Sequence, residues 1–215
     1  MLAAVLFDLD GTLIDSMELI RRSYWHAWQV HRGVEPAREE WLEGIGRPLR
    51  WQFARVGQDA EEVEAMIATY RAYNLAHHDE SVTAFPGAVE AVRALAARGL
   101  KLGVVTSKLR QGALRGLALG GFDGLFGALV GADDLAEHKP APGPVLAALE
   151  QLGVAPAHAL MVGDSPHDLA AGRAAGTRTA AVAWGPFPAE VLRATKPDVW
   201  LDEPAAIAHL GAGVP

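Results

Sequence analysis

Cysteine is absent from all 215 residues. That absence excludes a disulfide framework, a thiolate nucleophile and any zinc site with cysteine ligands. The N-terminus has no basic segment followed by an apolar one, and no apolar run approaches the length of a membrane span. A secretory leader and a membrane partner are therefore not expected. A basic stripe is missing too: 19 lysines and arginines stand against 26 acidic residues, for a formal net charge of −7. Nucleic acid is accordingly not an expected partner, because little is available to neutralise its phosphates. Internal repeats and low-complexity segments are lacking as well. These absences predict a cytoplasmic protein, and they leave its oligomeric state open. The remaining composition, 50% hydrophobic and 21% charged, is that of a globular chain long enough for one well-buried domain or a domain with a substantial insertion. An acidic protein that binds an anion needs local cations or a metal at the site.

The chain is organised around Val5-Leu6-Phe7-Asp8-Leu9-Asp10-Gly11-Thr12-Leu13. An apolar strand delivers two aspartates, two residues apart and hence on one side, straight into a glycine that lets the backbone turn away. Two carboxylates held so close repel unless a cation sits between them. The pattern suggests a Mg²⁺-assisted site with a nucleophilic or acid/base carboxylate; an ordinary strand followed by an Asp-Gly turn is the plainer reading.

After Thr12 the period becomes helical. Met17, Ile20, Tyr24, Ala27 and Trp28 share a face, Ser16 is available as an N-cap and Gly33 ends the helix. A shorter polar segment leads to a loop at Gly44-Ile45-Gly46-Arg47-Pro48. Asp59, with Glu62 three residues on, opens a second helix along Val63, Met66, Ile67 and Tyr70. From Phe85-Pro86-Gly87 onward helices and apolar strands alternate: strands are predicted at 102–105, 128–130, 159–162, 179–183 and 199–201, with helices between them. Unbroken apolar strands alternating with helices predict an α/β fold with a doubly wound, mainly parallel, Rossmann-like sheet. The helical block after the first strand reads as an inserted cap. The predicted division is a core of residues 1–15 and 83–215 and an all-helical cap of residues 16–82, with linkers near Ile14–Ser16 and Ser81–Pro86.

Doubly wound sheets bind ligands beyond the carboxyl ends of their strands. There the strands end in Asp8 and Asp10, in Thr106-Ser107 and in Gly163-Asp164, with Lys139 in a loop before a helix and Asp168 just beyond. Carboxylates, hydroxyls with free backbone N–H groups and a fixed positive charge form a full set for handling a phosphoryl group. Each part also has a duller explanation. Thr106 can cap the next helix, Lys139 can be a solvated loop lysine, and Asp164 and Asp168 can be turn and N-cap residues.

Asp8-Leu9-Asp10-Gly11-Thr12, Thr106-Ser107, Lys139-Pro140 and Gly163-Asp164-Ser165-Pro166-His167-Asp168 resemble, in order and spacing, the four motifs of the haloacid dehalogenase superfamily of phosphohydrolases. The helical insert sits where that superfamily's first cap type does. The resemblance implies Asp8 as the nucleophile that forms an aspartyl-phosphate. It implies Asp10 as the general acid for the leaving group and then the base for water. Mg²⁺ would be held by Asp8, the Asp10 backbone carbonyl and Asp164, with Asp168 close by through water or Lys139. Thr106 and Lys139 would bind the transferring phosphoryl oxygens, with Ser107 beside them.

Substrate choice falls to the cap. Its polar candidates are Arg47 and the cluster Arg71, Asn74, His77 and His78; residues 71, 74 and 78 share one helix face at i, i+3 and i+7. A cationic stripe beside an acidic metal site suits a compact, highly charged substrate, while a solvated helix face is the alternative. Tyr70-Arg71-Ala72-Tyr73-Asn74-Leu75-Ala76-His77-His78-Asp79, with the segments 161–164 and 176–184, looks like the bacterial inorganic pyrophosphatases of that superfamily, from which Arg47 departs. Pyrophosphate is the expected substrate, with phosphoglycolate or another small phosphomonoester second. A receiver-type signalling module and a metal-independent dehalogenase are the rivals. Receivers, though, lack a helical insert, and a dehalogenase has no use for so many carboxylates.

Overall fold

The computed structural model describes residues 1–212. Strand β1 (Ala4–Phe7) and the short β2 (Ile14–Asp15) lead into helices α1 (Met17–Arg32), α2 (Arg38–Gly44), α3 (Leu49–Ala54) and α4 (Ala60–Ser81). The chain returns through β3 (Thr83–Ala84), α5 (Ala88–Ala97), β4 (Lys101–Val105), α6 (Arg110–Leu119), β5 (Ala128–Val130) and α7 (Gly143–Leu152). It finishes with β6 (Ala159–Gly163), α8 (Pro166–Ala174), β7 (Arg178–Val182), α9 (Ala189–Ala194) and β8 (Val199–Leu201).

Six strands form one parallel sheet in the order β5-β4-β1-β6-β7-β8. The winding direction reverses at β1, so the switch point lies among the carboxyl ends of β1, β4 and β6. The apolar sequence of β1 follows from burial on both faces. Val5 and Phe7 pack into one core cluster and Ala4 and Leu6 into another, and none of the four is exposed. Each large side chain so buried contributes about 1.5–3 kcal/mol. The site is therefore mounted on a strand buried on both faces and paired on both edges.

The helices of residues 17–81 have a core of their own. α1 and α4 pack on each other around Tyr24, Phe53, Met66, Ile67 and Tyr70, with the Tyr24 and Phe53 rings stacked at 5.2 Å. As expected, the Asp59 side chain caps α4 by accepting from the Glu62 N–H, and Gly33, at φ 68°, closes α1. Two expectations need correction. Ser16 precedes α1 but does not cap it; its hydroxyl is committed to Asp10 instead. The polar segment before Gly44 and the stretch after Pro48 are the short helices α2 and α3, too brief to display a period. At the linkers Ile14 pairs with Ala84 and Asp15 with Thr83, so the chain leaves and re-enters the sheet unit through one antiparallel ribbon. Among the described residues no helix is long and apolar enough to cross a membrane.

Candidate active site

Beyond β1 the Asp8 N–H continues the parallel pairing by donating to the Val162 carbonyl, which turns the buried carboxyl of Asp8 over the end of the sheet. Lys139, from the loop before α7, comes to meet it. The Nζ donates to the Val105 carbonyl at 3.0 Å and to Asp168 Oδ1 at 2.6 Å, and lies 2.9 Å from Asp8 Oδ1. Only 2% of the Lys139 side chain is exposed, which removes the solvated-loop reading. The contact to Asp8 is an ion pair off the hydrogen-bond line, so Asp8 Oδ1 has no aligned donor.

Asp168 opens α8 in a reciprocal cap. Its Oδ2 accepts from the Ser165 N–H and hydroxyl, and its own N–H donates back to Ser165 Oγ. Asp168 thus caps α8 while meeting Lys139, and both of its carboxylate oxygens are occupied. Asp164 differs. Thr12 donates to its Oδ1 at 2.9 Å, while its buried Oδ2 has no partner. Two backbones press on Asp164 from either side. A Cβ on Gly11 (φ 85°) would come within 2.7 Å of Asp164 Oδ2, and one on Gly185 within 2.3 Å of its Cβ. Trp184 secures the same corner by donating from Nε1 to the Thr12 carbonyl.

Oxygens of Asp8, Asp164 and Asp168 lie within 4.8 Å of one another. Burial, then the Asp168 and Asp10 charges, push Asp8 up to about 7 against the pull of Lys139. Burial, followed by the charges of Asp8 and Asp168, lifts Asp164 well above the ordinary carboxylate range. Burial lowers the proton affinity of Lys139, but Asp168 and Asp8 outweigh it and its pKa ends above the usual lysine value. Three buried carboxylates with one buried ammonium leave an excess of negative charge; Asp164 Oδ2 has no partner, and Asp8 Oδ1 has only the Lys139 ion pair. That donor set fits a hard divalent cation with oxygen ligands.

Asp10 stands apart from this trio. Its Oδ1 accepts from Ser16 Oγ at 2.6 Å and from Lys108 Nζ at 2.7 Å. Thr106 is buried and its Oγ1 accepts from the Lys108 N–H, so it braces the strand end rather than capping α6, whose N-cap is Leu109. Ser107 donates to the Gly46 carbonyl at 2.7 Å, tying the helical block to the sheet edge.

A cavity of about 540 Å³ lies between the two units, reaching Asp8, Asp10, Thr106 and Asp164 on one side and Arg47, Arg71, Asn74 and His78 on the other. Arg47 spreads its guanidinium over Trp51, 4.7 Å from the ring centre. Asn74 donates to Ser23 Oγ, and burial lowers the proton affinity of His78. His77 is a correction: it lies off the 71/74/78 face, bonds Glu80 and packs on Tyr73 outside the cavity. Sequence reasoning missed Lys108, Thr12 and the Ser16 contact to Asp10. Lys108 was visible as a charge two residues past Thr106, but no spacing rule announces that it folds back onto Asp10.

A parallel α/β sheet bearing an Asp-x-Asp pair, a buried lysine and an acidic helix start at its switch point defines a hydrolase core of the phosphoryl-transfer kind. The sequence profile of the haloacid dehalogenase-like hydrolases matches residues 5–182, and the chain belongs to that family. It is 44% identical over 207 residues to Pyrophosphatase PpaX of Bacillus velezensis, covering 96% of this chain and 95% of the relative. Identity to Pyrophosphatase PpaX of Halalkalibacterium halodurans is 42%, over 90% of this chain and 89% of that one. Among solved structures, that of a predicted phosphoglycolate phosphatase from Haemophilus somnus superposes with a TM-score of 0.81 at 27% identity, covering 96% of each chain.

Proposed function

We propose that this protein is a cytoplasmic, Mg²⁺-dependent phosphohydrolase that cleaves inorganic pyrophosphate through an aspartyl-phosphate on Asp8. The single observation that carries the chemistry is the buried carboxylates of Asp8 and Asp164 gathered beside Lys139, with Asp164 Oδ2 left without a partner. The identity to the pyrophosphatases over nearly the whole chain supports the substrate, and the lack of cysteine supports the location.

Asp8 attacks the near phosphorus, and the bond to the bridging oxygen breaks. Asp10 hands a proton to that oxygen, and phosphate departs. Asp10 then takes a proton from the water that opens the aspartyl-phosphate, releasing the second phosphate and restoring Asp8. Thr106, Ser107 and Lys139 hold the transferring oxygens, and Asp168 keeps Lys139 in place. Asp8, Asp164 and the Asp10 carbonyl would hold the metal, with Asp168 behind them. Mg²⁺ there would supply the positive charge that lets an anionic phosphoryl group approach a carboxylate. The helices of residues 16–82 act as the cap that excludes water, with Arg47, Arg71, Asn74 and His78 facing the substrate. A small phosphomonoester such as phosphoglycolate is the second reading, favoured by a cavity far roomier than pyrophosphate needs and by the Haemophilus somnus neighbour. Relative kcat/KM for pyrophosphate and 2-phosphoglycolate decides between them, and a strong preference for the latter overturns the first reading.

Two further results are expected. Thr12→Val removes the donor that fixes Asp164, and outer-sphere losses of this kind typically weaken metal binding about 10- to 100-fold. The Mg²⁺ concentration for half-maximal thermal stabilisation reads this directly. Asp8 without metal keeps its proton up to about pH 7, and cation binding must expel it. Mg²⁺ should therefore raise Tm more at pH 7.5 than at pH 5.5; equal gains would show that Asp8 is not a ligand.

A further inference from the structure

Each carboxylate of the Asp-x-Asp pair has its own lysine. Lys101, Lys108, Lys139 and Lys196 are all the lysines in the chain. Lys139 faces Asp8 at 2.9 Å and Lys108 faces Asp10 at 2.7 Å. The two differ in what they have left to give. Lys139 is hemmed in by Asp8, Asp168 and the Val105 carbonyl. Lys108 touches only Asp10 through its ammonium, so two of its three N–H donors are uncommitted, and it lines the cavity. Its backbone is fixed, with the N–H on Thr106 Oγ1 and the carbonyl accepting from Ala132. Its stem packs over Gly112 of α6.

None of the other basic side chains lining the cavity, Arg47, Arg50, Arg71 and Arg115, pairs with Asp10. Arg115 is bound through two nitrogens to Asp79, and Arg47 lies on the Trp51 ring in the helical block. Lys108 alone, among the described residues, joins the cavity to Asp10, the group assigned to the leaving group's proton. Ser16 and Lys108 both bind Asp10 Oδ1, which leaves Oδ2 for that proton.

We propose that Lys108 is a specificity-determining residue of this site: it receives the departing phosphate of an anionic leaving group while holding Asp10 beside it. The inference rests on the phosphohydrolase reading above and sharpens it. When the bridging bond breaks, its electron pair goes to the departing phosphate and the proton moves to it from Asp10. Both groups contact one ammonium, so the negative charge passes between two partners of Lys108 and the charge it faces is unchanged. A neutral leaving group such as a phenol offers no such contact. Lys108 therefore favours phosphoanhydrides, and esters with an anionic leaving group, over esters of neutral alcohols.

The test measures kcat/KM with pyrophosphate and with phenyl phosphate for the wild type, Lys108→Met and Lys108→Arg, with Tm as a check on folding. Lys108→Met should lower both values through Asp10, and lower that for pyrophosphate about 10- to 100-fold further, the span of one charge-assisted hydrogen bond. Lys108→Arg should recover part of the pyrophosphate preference. Equal losses for the two substrates, or none, overturn the inference while leaving the phosphohydrolase reading intact. A wild type that cleaves phenyl phosphate but not pyrophosphate defeats the pyrophosphate reading and this inference with it. An unfolded Lys108→Met passes the decision to Lys108→Arg, whose substrate ratio must shift from that of the wild type for the inference to stand.

Discussion

Asp8→Asn should lower kcat by roughly four to six orders of magnitude, the scale on which loss of a covalent nucleophile is felt, and should leave the fold intact. Asparagine fits the space of aspartate but cannot form the acyl-phosphate. Its effect on stability has a definite sign. Asp8 titrates near 7 in the folded protein against 3.8 for an ordinary aspartate, so the folded state binds the extra proton. The stabilisation this one group contributes is present at low pH, falls as pH rises from about 4 to about 7 and is gone above that range. A neutral amide deletes this slope, because it no longer repels Asp164 and Asp168. Metal-free Asp8→Asn should match or exceed the wild-type Tm at pH 8 while being inactive. Substantial activity in this variant would remove Asp8 from the nucleophile's role, and a collapse in Tm would contradict the electrostatics.

Lys139→Met should be the most destabilising single change in the site. The ammonium is nearly inaccessible and serves Asp8, Asp168 and a strand-end carbonyl at once. Removing it leaves buried carboxylates without their cation, a loss of about 3–5 kcal/mol. For a chain of this size that corresponds to a fall in Tm of roughly 6–20 °C. Activity should drop in parallel by about 100- to 1,000-fold, since the same group faces the transferring oxygens. The loss of stability should be smaller at pH 5 than at pH 8, because protonated carboxylates repel less. Thermal melts at the two pH values check this; a Tm unchanged at pH 8 would mean that Lys139 holds nothing together.

The catalytic edge was legible in the sequence because its parts obey strong local rules. Apolar runs end in Asp8, Thr106 and Asp164, and parallel strands put their carboxyl ends at one edge. The strands at 128–130 and 199–201 coincide with β5 and β8, and the Asp59 cap and Gly33 stop fall where expected. What escaped was decided by long-range contact. Ser16 has the chemistry of an N-cap, yet its hydroxyl meets Asp10, six residues back across the turn. Lys108 reaches Asp10 over 98 residues and Thr12 reaches Asp164 over 152, separations that no periodicity encodes. His77 is next to His78 in the sequence, but a helix turns it about 100° away. α2 and α3 stayed hidden because six or seven residues hold too few turns to show an amphipathic face.

The same contacts explain how the two units share one chemistry. The ribbon of β2 and β3 brings Ser16 to Asp10, and Ser107 holds the Gly46 carbonyl over the sheet edge. The helical block is thereby bonded to Asp10, the carboxylate proposed to handle the proton, and to the loop beside Thr106, while Asp8 and Lys139 are held by Val162, Val105 and Asp168 of the sheet unit. Substrate preference can then change with residues such as Arg47 and Lys108 without moving the nucleophile.

The most direct test is to acid-quench the protein during turnover of pyrophosphate with Mg²⁺ and locate the phosphoryl group by peptide mass spectrometry. The account predicts one added phosphoryl group on Asp8 in the wild type and none in Asp8→Asn. Rapid pyrophosphate cleavage with no phosphoprotein under any quench time, or with the group on another residue, would contradict it.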